Sequence, residues 1–151
     1  MRSSKSDPIV REWQKLFGRI RRHGVNATSD YVIGLIKTGQ YPLYYSKRFT
    51  EYLLKHDKYI IAGKVLRAIE EAGIEHSLID ELKSSLLWGI GKHNAAISHA
   101  VKSANRWLAP FLYYQVSEFY SMKGQNKKSD YYFEIAHSLA KQEEKILKQK
   151  S

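Results

Sequence analysis

Apolar residues in this chain recur at intervals of three and four positions, and this spacing constrains the fold more than any other feature of the sequence. It places apolar side chains along one face of an α-helix, whereas a half-buried strand requires them at every second position. Runs rich in valine and threonine are missing, and proline, which interrupts helices, occurs only three times. The pattern therefore predicts an all-α chain.

Local start and stop signals divide the chain into seven or eight helices. Asp7 and Pro8 are a capping residue followed by proline at the first helical position, and Gly73 stands where a helix commonly ends. The turns between helices are a few residues long, which indicates antiparallel neighbours. The predicted helices are about 7–23, 30–37, 42–55, 58–72, 77–89, 93–103, 108–123 and 126–148.

The length and composition are those of one ordinary globular domain. With 43% hydrophobic and 26% charged residues among 151, the chain can bury a core and is not expected to be disordered. We expect a single helical-repeat domain over 1–151. Within it we distinguish a basic amphipathic N-terminal helix at 7–23, helical hairpins over 30–141 and a charged tail at 142–151.

A repeat is indicated by the glycines and by one long segment. Gly39 and Gly73 are 34 positions apart, and Gly91 and Gly124 are 33 positions apart. The segment PFLYYQVSEFYSMKGQNKKSDYYFEIAHSLA, which starts at residue 110, resembles a tetratricopeptide repeat, a helix–turn–helix unit of 34 residues. The positions that match the family's pattern are Tyr113, Val116, Ser117, Tyr120, Gly124, Ser129, Phe133 and Ala136.

The resemblance extends over 110–141 and, with fewer matches, over 78–104. Lys141 stands where the family pattern has proline. The resemblance implies antiparallel helical hairpins stacked as a short α-solenoid, whose concave surface binds a peptide or protein segment. It implies no catalytic activity.

The same pattern suggests how the last hairpin packs. Phe133 and Ala136 are expected to pack on Tyr120 and Val116 as one helix folds against the other. Small side chains at Ser117 and Ala136 should let the two backbones approach closely.

Tyrosines and basic residues are the candidate partner-binding side chains. The chain has 11 tyrosines and a formal net charge of +10, and such a charge favours an anionic partner. Adjacent aromatic residues such as Tyr131 and Tyr132 diverge by about 100° on a helix, so some of them must be exposed or line a groove. The candidate partner-binding residues are Tyr44, Lys47, Arg48, Tyr114, Lys127, Lys128 and Tyr131.

The N-terminal helix combines basic side chains with one apolar face. That face consists of Ile9, Trp13, Leu16, Phe17 and Ile20. Such a helix can pack on the rest of the domain, or it can dock on a partner protein, an anionic membrane surface or RNA. The candidate binding residues of this helix are Arg11, Trp13, Lys15, Phe17, Arg19, Arg21 and Arg22.

The sequence predicts no catalytic residue, no metal site and no cofactor, and therefore no enzyme. The chain has no cysteine, which excludes disulfides and thiolate chemistry. The six histidines show no HExxH spacing, and the glycines of WGIGK lack the longer pattern of phosphate-binding loops. Neither a leader peptide nor a run of about 18 apolar residues is found, so we expect a cytoplasmic protein.

These observations favour a noncatalytic interaction module or adaptor. It would bind an acidic peptide or a partner protein through a concave surface rich in tyrosine, lysine and arginine. One alternative is a basic helical protein that binds nucleic acid, using the cluster from Arg19 to Arg22 and the pair Lys127 and Lys128 to neutralise phosphates. Another is an accessory or regulatory subunit of a larger enzyme complex. An anionic membrane surface is the least favoured partner.

Overall fold

The computed structural model describes residues 8–40 and 43–150, with the side chains of all of these except Pro8, Ile9, Tyr44, Tyr45 and Lys150. The described residues form seven helices and no strand, which confirms the all-α prediction. We number the helices in chain order. They are α1 Pro8–Lys37, α2 Leu43–Lys55, α3 Tyr59–Glu71, α4 Ser77–Gly89, α5 His93–Trp107, α6 Pro110–Met122 and α7 Asn126–Lys150.

Helix α1 is interrupted at Gly24. The backbone there has φ 87° and ψ 168°, a combination that glycine adopts without steric cost, and the Thr28 hydroxyl donates to the Gly24 carbonyl at 2.8 Å. The sequence predicted a break at this glycine. It also predicted a loop between 24 and 29, which is wrong, because the helix restarts directly after Gly24.

Five helix ends share one hydrogen-bonding pattern. After α6, the Gly124 N–H donates to the Ser121 carbonyl and the Gln125 N–H donates to the Tyr120 carbonyl, each at 2.9 Å. In this Schellman arrangement a residue with positive φ lets the chain turn while the last carbonyls stay hydrogen-bonded. The other four ends have the same two bonds around Gly39, Asp57, Gly73 and Gly91.

The chain forms two compact units, Met1–Glu75 and His76–Ser151. In the first unit, α1 and α2 pack on each other and both pack on α3. Its fully buried large apolar residues are Val32, Phe49, Leu53, Val65 and Ile69. In the second unit, α4 packs on α5, α5 on α6 and α6 on α7. The expectation of one domain over 1–151 stays a prediction.

The second unit consists of two hairpins that repeat with an offset of 33 residues. Helix α6 begins and ends 33 positions after α4, and α7 begins 33 positions after α5. The turn glycines Gly91 and Gly124 keep the same offset and have φ 88° and 77°. The repeat that the sequence indicated is therefore a repeat of the structure.

Small residues lie where the two helices of each hairpin cross. In the second hairpin, the Ser117 hydroxyl donates to the Ser129 carbonyl at 2.8 Å and lies 3.0 Å from the Ser129 hydroxyl oxygen. The equivalent residues of the first hairpin, Ser84 and Ala96, are both fully buried. Larger side chains at these places would hold the helices apart, so the predicted role of Ser117 is confirmed.

The packing of α7 on α6 differs from the prediction at one residue. Ala136 is fully buried in the core that includes Val116, as expected. However, the ring that stacks on Tyr120 is Tyr132, with centroids 5.6 Å apart, whereas Phe133 contacts Tyr114 at 5.4 Å and is 47% exposed. The prediction that Phe133 packs on Tyr120 is wrong, because a shift of one residue rotates the side chain by about 100° around the helix.

Helix α7 is much longer than the helix on which it packs. It continues to Lys150, and residues 141–149 are all exposed. The segment predicted as a charged tail, 142–151, is therefore helical as far as it is described. Lys148 and Glu144 form an ion pair one turn apart at 3.1 Å on this exposed part.

Candidate peptide-binding groove

A groove with a cavity volume of about 450 Å³ lies in the second unit, between α5 and the hairpin of α6 and α7. We call it the lysine–tyrosine groove. It is lined by Asn94, Ile97, Ser98, Val101, Lys102, Tyr120, Lys123, Gln125, Lys128 and Tyr132. Residues from three helices and one turn therefore form a single surface.

Helical spacing explains which side chains reach the groove. Ile97 and Val101 lie one turn apart on α5 and provide apolar contact area, with Ile97 buried and Val101 half-buried. Lys128 and Tyr132 have the same spacing on the first turns of α7. The Schellman turn at Gly124 reverses the chain between α6 and α7, which brings both helices to the same groove.

Two of the three lysines that line the groove contact other residues of its lining. The Lys123 ammonium donates to the Asn94 side-chain oxygen at 2.6 Å, and the Lys128 ammonium lies 5.4 Å from the centre of the Tyr120 ring. Lys102 is the third, and none of the ten lining residues is acidic. The groove therefore has a positive potential that no carboxylate of its own lining compensates.

The tyrosines beside the lysines are stacked. Tyr132 lies between Tyr120 and Tyr113, with centroid distances of 5.6 Å and 6.4 Å. Burial raises the pKa of Tyr132 and of Tyr113, so their phenols stay protonated at physiological pH. The Tyr113 hydroxyl donates to the Asn105 side chain at 2.7 Å, which fixes this end of the stack.

The structure brings some of the predicted partner-binding residues together. Lys128 lines the groove, and Lys127 and Tyr131 lie on the adjacent face of α7. Tyr114 is half-buried beside Phe133 on the other side of that helix. The role of these residues in binding stays a prediction.

The remaining candidates belong to the first unit. Lys47 forms an ion pair with Glu51 at 2.9 Å, and the Arg48 guanidinium lies 5.2 Å from the centre of the Trp13 ring. The side chain of Tyr44 is outside the described part of the chain.

Of the ten residues that line the groove, the sequence indicated only Lys128 for partner binding, and the missed residues include Lys102, Tyr120, Lys123 and Asn94. Tyr120 was assigned to the hairpin core, where one of its faces does pack. The lysines carried no motif of their own. The turn at Gly124 could have indicated some of these groove residues, because residues on either side of a tight helix–helix turn lie close together.

The N-terminal helix packs on its own unit. Leu16 and Ile20 are buried, and the rings of Trp13 and Phe17 each lie 6.2 Å from that of Tyr52 on α2. Among the alternatives that the sequence left open, the structure shows packing within this unit for the part of the helix whose side chains are described. Ile9, at the start of the same apolar face, lies outside those side chains.

Some basic residues of this helix have partners on the protein. The Arg19 guanidinium lies 3.7 Å from the centre of the Tyr31 ring, and Lys15 pairs with Glu12 at 3.1 Å. Arg11, Arg21 and Arg22 are exposed. Phe17 is also exposed, beside the half-buried Trp13.

A second cluster of polar side chains joins α4 to α5. The Trp107 indole N–H donates to the Asp80 carboxylate at 2.7 Å, and Nε2 of His99 lies 3.6 Å from the other oxygen of that carboxylate. Burial lowers the pKa of His99, and the attraction of Asp80 opposes this shift only in part. His99 is therefore neutral at physiological pH, and the cluster holds two helices together.

The described residues contain neither a metal-binding cluster nor a membrane-spanning helix. No group of three or more histidine or carboxylate side chains is arranged to hold a metal ion in the part of the chain that the structure covers. Nor is any described helix both long enough and apolar enough to cross a membrane.

The repeated hairpins define the class of fold as a tetratricopeptide-like helical repeat. A solved structure described as MamA MSR-1 C2, a protein with a tetratricopeptide-like fold, superimposes with a TM-score of 0.58. The match covers 93% of this chain and 82% of the other, at 13% sequence identity. It confirms the predicted fold, and at this identity the likeness concerns the fold alone. No protein-family model and no curated protein sequence matches the chain.

Proposed function

We propose that this protein is a noncatalytic interaction module that binds an acidic peptide segment in the lysine–tyrosine groove. Helical repeats of the tetratricopeptide kind typically act as scaffolds for protein partners. The observation that carries the proposal is the lining of the groove, in which three lysines surround tyrosine rings and an apolar strip without any carboxylate.

The groove offers each part of such a ligand a suitable contact. Carboxylates of the ligand pair with Lys102, Lys123 and Lys128, and charge-assisted hydrogen bonds of this kind are stronger than neutral ones. The ligand's backbone and side-chain stems lie against Tyr120 and Tyr132, whose rings bury area with little loss of conformational entropy.

Fluorescence anisotropy with a labelled peptide rich in aspartate and glutamate tests this proposal. We expect binding by the unmodified protein and at least about tenfold weaker binding by the triple variant Lys102→Glu, Lys123→Glu, Lys128→Glu, because each reversal replaces an attraction with a repulsion. The same peptide with glutamine and asparagine in place of its acids should bind poorly to both proteins.

A matched control separates the groove from the overall charge. The exposed lysines Lys64, Lys141 and Lys145 lie outside the groove, and reversing all three changes the net charge equally. This control variant should lose no more than about twofold in affinity for the peptide, because salt screens charges that lie outside the groove. Equal losses in the two triple variants would contradict a specific site.

Nucleic-acid binding is the second candidate, and the exposed Arg11, Arg21 and Arg22 favour it. A labelled oligonucleotide titrated at several salt concentrations tests it in the same instrument. Phosphate neutralisation predicts a steep linear fall of log affinity with log salt, which Arg21→Ser and Arg22→Ser would make shallower. Insensitivity of oligonucleotide binding to these substitutions would exclude this surface as the site.

A further inference from the structure

The helix face that forms one wall of the groove occurs a second time, one repeat later. On α5 that wall consists of Asn94, Ile97, Ser98, Val101 and Lys102. The positions 33 residues further on are Lys127, Asp130, Tyr131, Glu134 and Ile135. These five residues, with Ser138 and Leu139, line a second concavity of about 520 Å³, which we call the α7 face.

The groove and the α7 face are contiguous. Lys128 and Tyr132 line the groove, and their chain neighbours Lys127 and Tyr131 line the α7 face. Adjacent residues of a helix point about 100° apart, so the two surfaces meet along the first two turns of α7. The Tyr131 and Tyr132 rings are 5.1 Å apart across this boundary. One extended ligand can therefore contact both surfaces.

The two surfaces differ in chemistry. On the α7 face, Tyr131, Ile135 and Leu139 recur every four residues as an apolar stripe, and Tyr131 is 63% exposed. The carboxylates of Asp130 and Glu134 lie beside this stripe. An acidic ligand residue would be repelled here, whereas an apolar side chain would be stabilised by burial.

We propose, on the basis of the proposed function, that the natural ligand is bipartite, with two chemically different parts. A block of aspartate or glutamate residues occupies the lysine–tyrosine groove, and an aliphatic or aromatic residue next to that block packs on the α7 face against Tyr131. The lysines attract the acidic block, while Asp130 and Glu134 keep it off the α7 face. This arrangement gives the ligand one register on the protein.

Three labelled peptides test the inference by anisotropy. One is an acidic block alone, and the other two have leucine and phenylalanine added at its N-terminal or its C-terminal end. We expect one of the two extended peptides to bind at least about tenfold more tightly than the block alone. Tyr131→Ser should remove most of this gain. The gain is the ratio of the affinities of the extended peptide and of the block for the same variant, so an effect of the substitution on the adjacent Tyr132 cancels.

Leu147→Ser is the matched control, because Leu147 lies on the same helix, is 68% exposed and is distant in sequence from both surfaces. It should keep the full gain. Circular dichroism of both variants verifies that α7 remains folded.

If neither extended peptide gains affinity, or if the gain survives Tyr131→Ser, the bipartite ligand is wrong, although the groove still binds acids. If the acidic block itself does not bind, the proposed function fails first, and this inference fails with it.

Discussion

At the scale of single residues, equivalent places in the two hairpins have unequal environments. The Ser117 hydroxyl is hydrogen-bonded to Ser129 across the helix crossing. Its equivalent Ser84 faces the same crossing in the first hairpin, but the residue equivalent to Ser129 there is Ala96. The Ser84 hydroxyl is fully buried and has no hydrogen-bond partner among the described residues.

We therefore expect opposite effects from the same substitution. Ser84→Ala removes a buried hydroxyl that has no partner and should raise the free energy of unfolding by about 1 kcal/mol. Ser117→Ala loses two short contacts and should lower it by about 1 kcal/mol. Urea denaturation of the two variants measures both values. Changes of the same sign would show that the two crossings do not differ in the way described.

At the scale of the elements, the helices end where one residue adopts a left-handed conformation. Glycine occupies four of these places, Asp57 occupies another with φ 59°, and Leu108, after α5, occupies the sixth with φ 52°. A side chain costs free energy in this conformation because Cβ approaches the following carbonyl oxygen. At Gly73 an added Cβ would meet no atom beyond its chain neighbours within 4 Å, so the cost there comes from the local backbone conformation and not from surrounding residues.

The effect of a substitution at these ends on the free energy of unfolding should depend on the backbone conformation of the residue and not on the atoms around it. Gly73→Ala should lower the free energy of unfolding by about 1 kcal/mol, and Asp57→Gly should raise it by about 0.5 kcal/mol despite the loss of the exposed hydrogen bond from Tyr59. Gly34→Ala is the control, because Gly34 lies inside α1 with equal space around it and should stabilise by about 1 kcal/mol. Thermal unfolding of the three variants gives the order, and stabilisation by Gly73→Ala would contradict it.

At the scale of the whole molecule, the repeated hairpins have a terminal face on α7. On α5, Ile97 and Ala104 are buried and Val101 is half-buried, because α6 covers them. On either side of these residues, side chains of α5 accept hydrogen bonds from Lys123 and from Tyr113. The equivalent residues on α7 are Asp130, Glu134 and His137, and all three are exposed. These polar residues lie on or beside the α7 face, next to its apolar stripe, and oppose self-association there.

Placing the α5 residues at the equivalent positions of α7 should therefore make the protein self-associate. The triple variant Asp130→Ile, Glu134→Val, His137→Ala exposes an apolar stripe of the kind that α6 covers in the preceding hairpin, and such stripes drive self-association. Sedimentation velocity should show a mass that rises with concentration. The control Asp130→Asn, Glu134→Gln, His137→Gln also loses the two carboxylates but gains no apolar surface. It should sediment as the unmodified protein does, and equal behaviour of the two variants would refute the role of the stripe.

The sequence by itself determined most of the helices, most of their ends and the repeat in the last two hairpins, although the helix predicted to end at 103 continues to Trp107. These features depend on signals within a few residues, such as apolar spacing and a glycine that permits positive φ. The predicted helix over 77–89 coincides with α4 for this reason. The break at Gly24 was also found, although its length was not, because no local signal shows how soon a helix resumes.

Only the tertiary structure decided which of two adjacent aromatic residues faces the core and which lysines line the same groove. Tyr132 and Phe133 are neighbours in sequence, and the crossing of α6 and α7 selects Tyr132 for the stack on Tyr120. Lys102 is on α5 and Lys123 is in the turn after α6, and they share a groove because α5 packs on α6. Sequence spacing fixes directions around one helix, whereas the relative rotation of two helices depends on packing contacts between residues far apart in the chain.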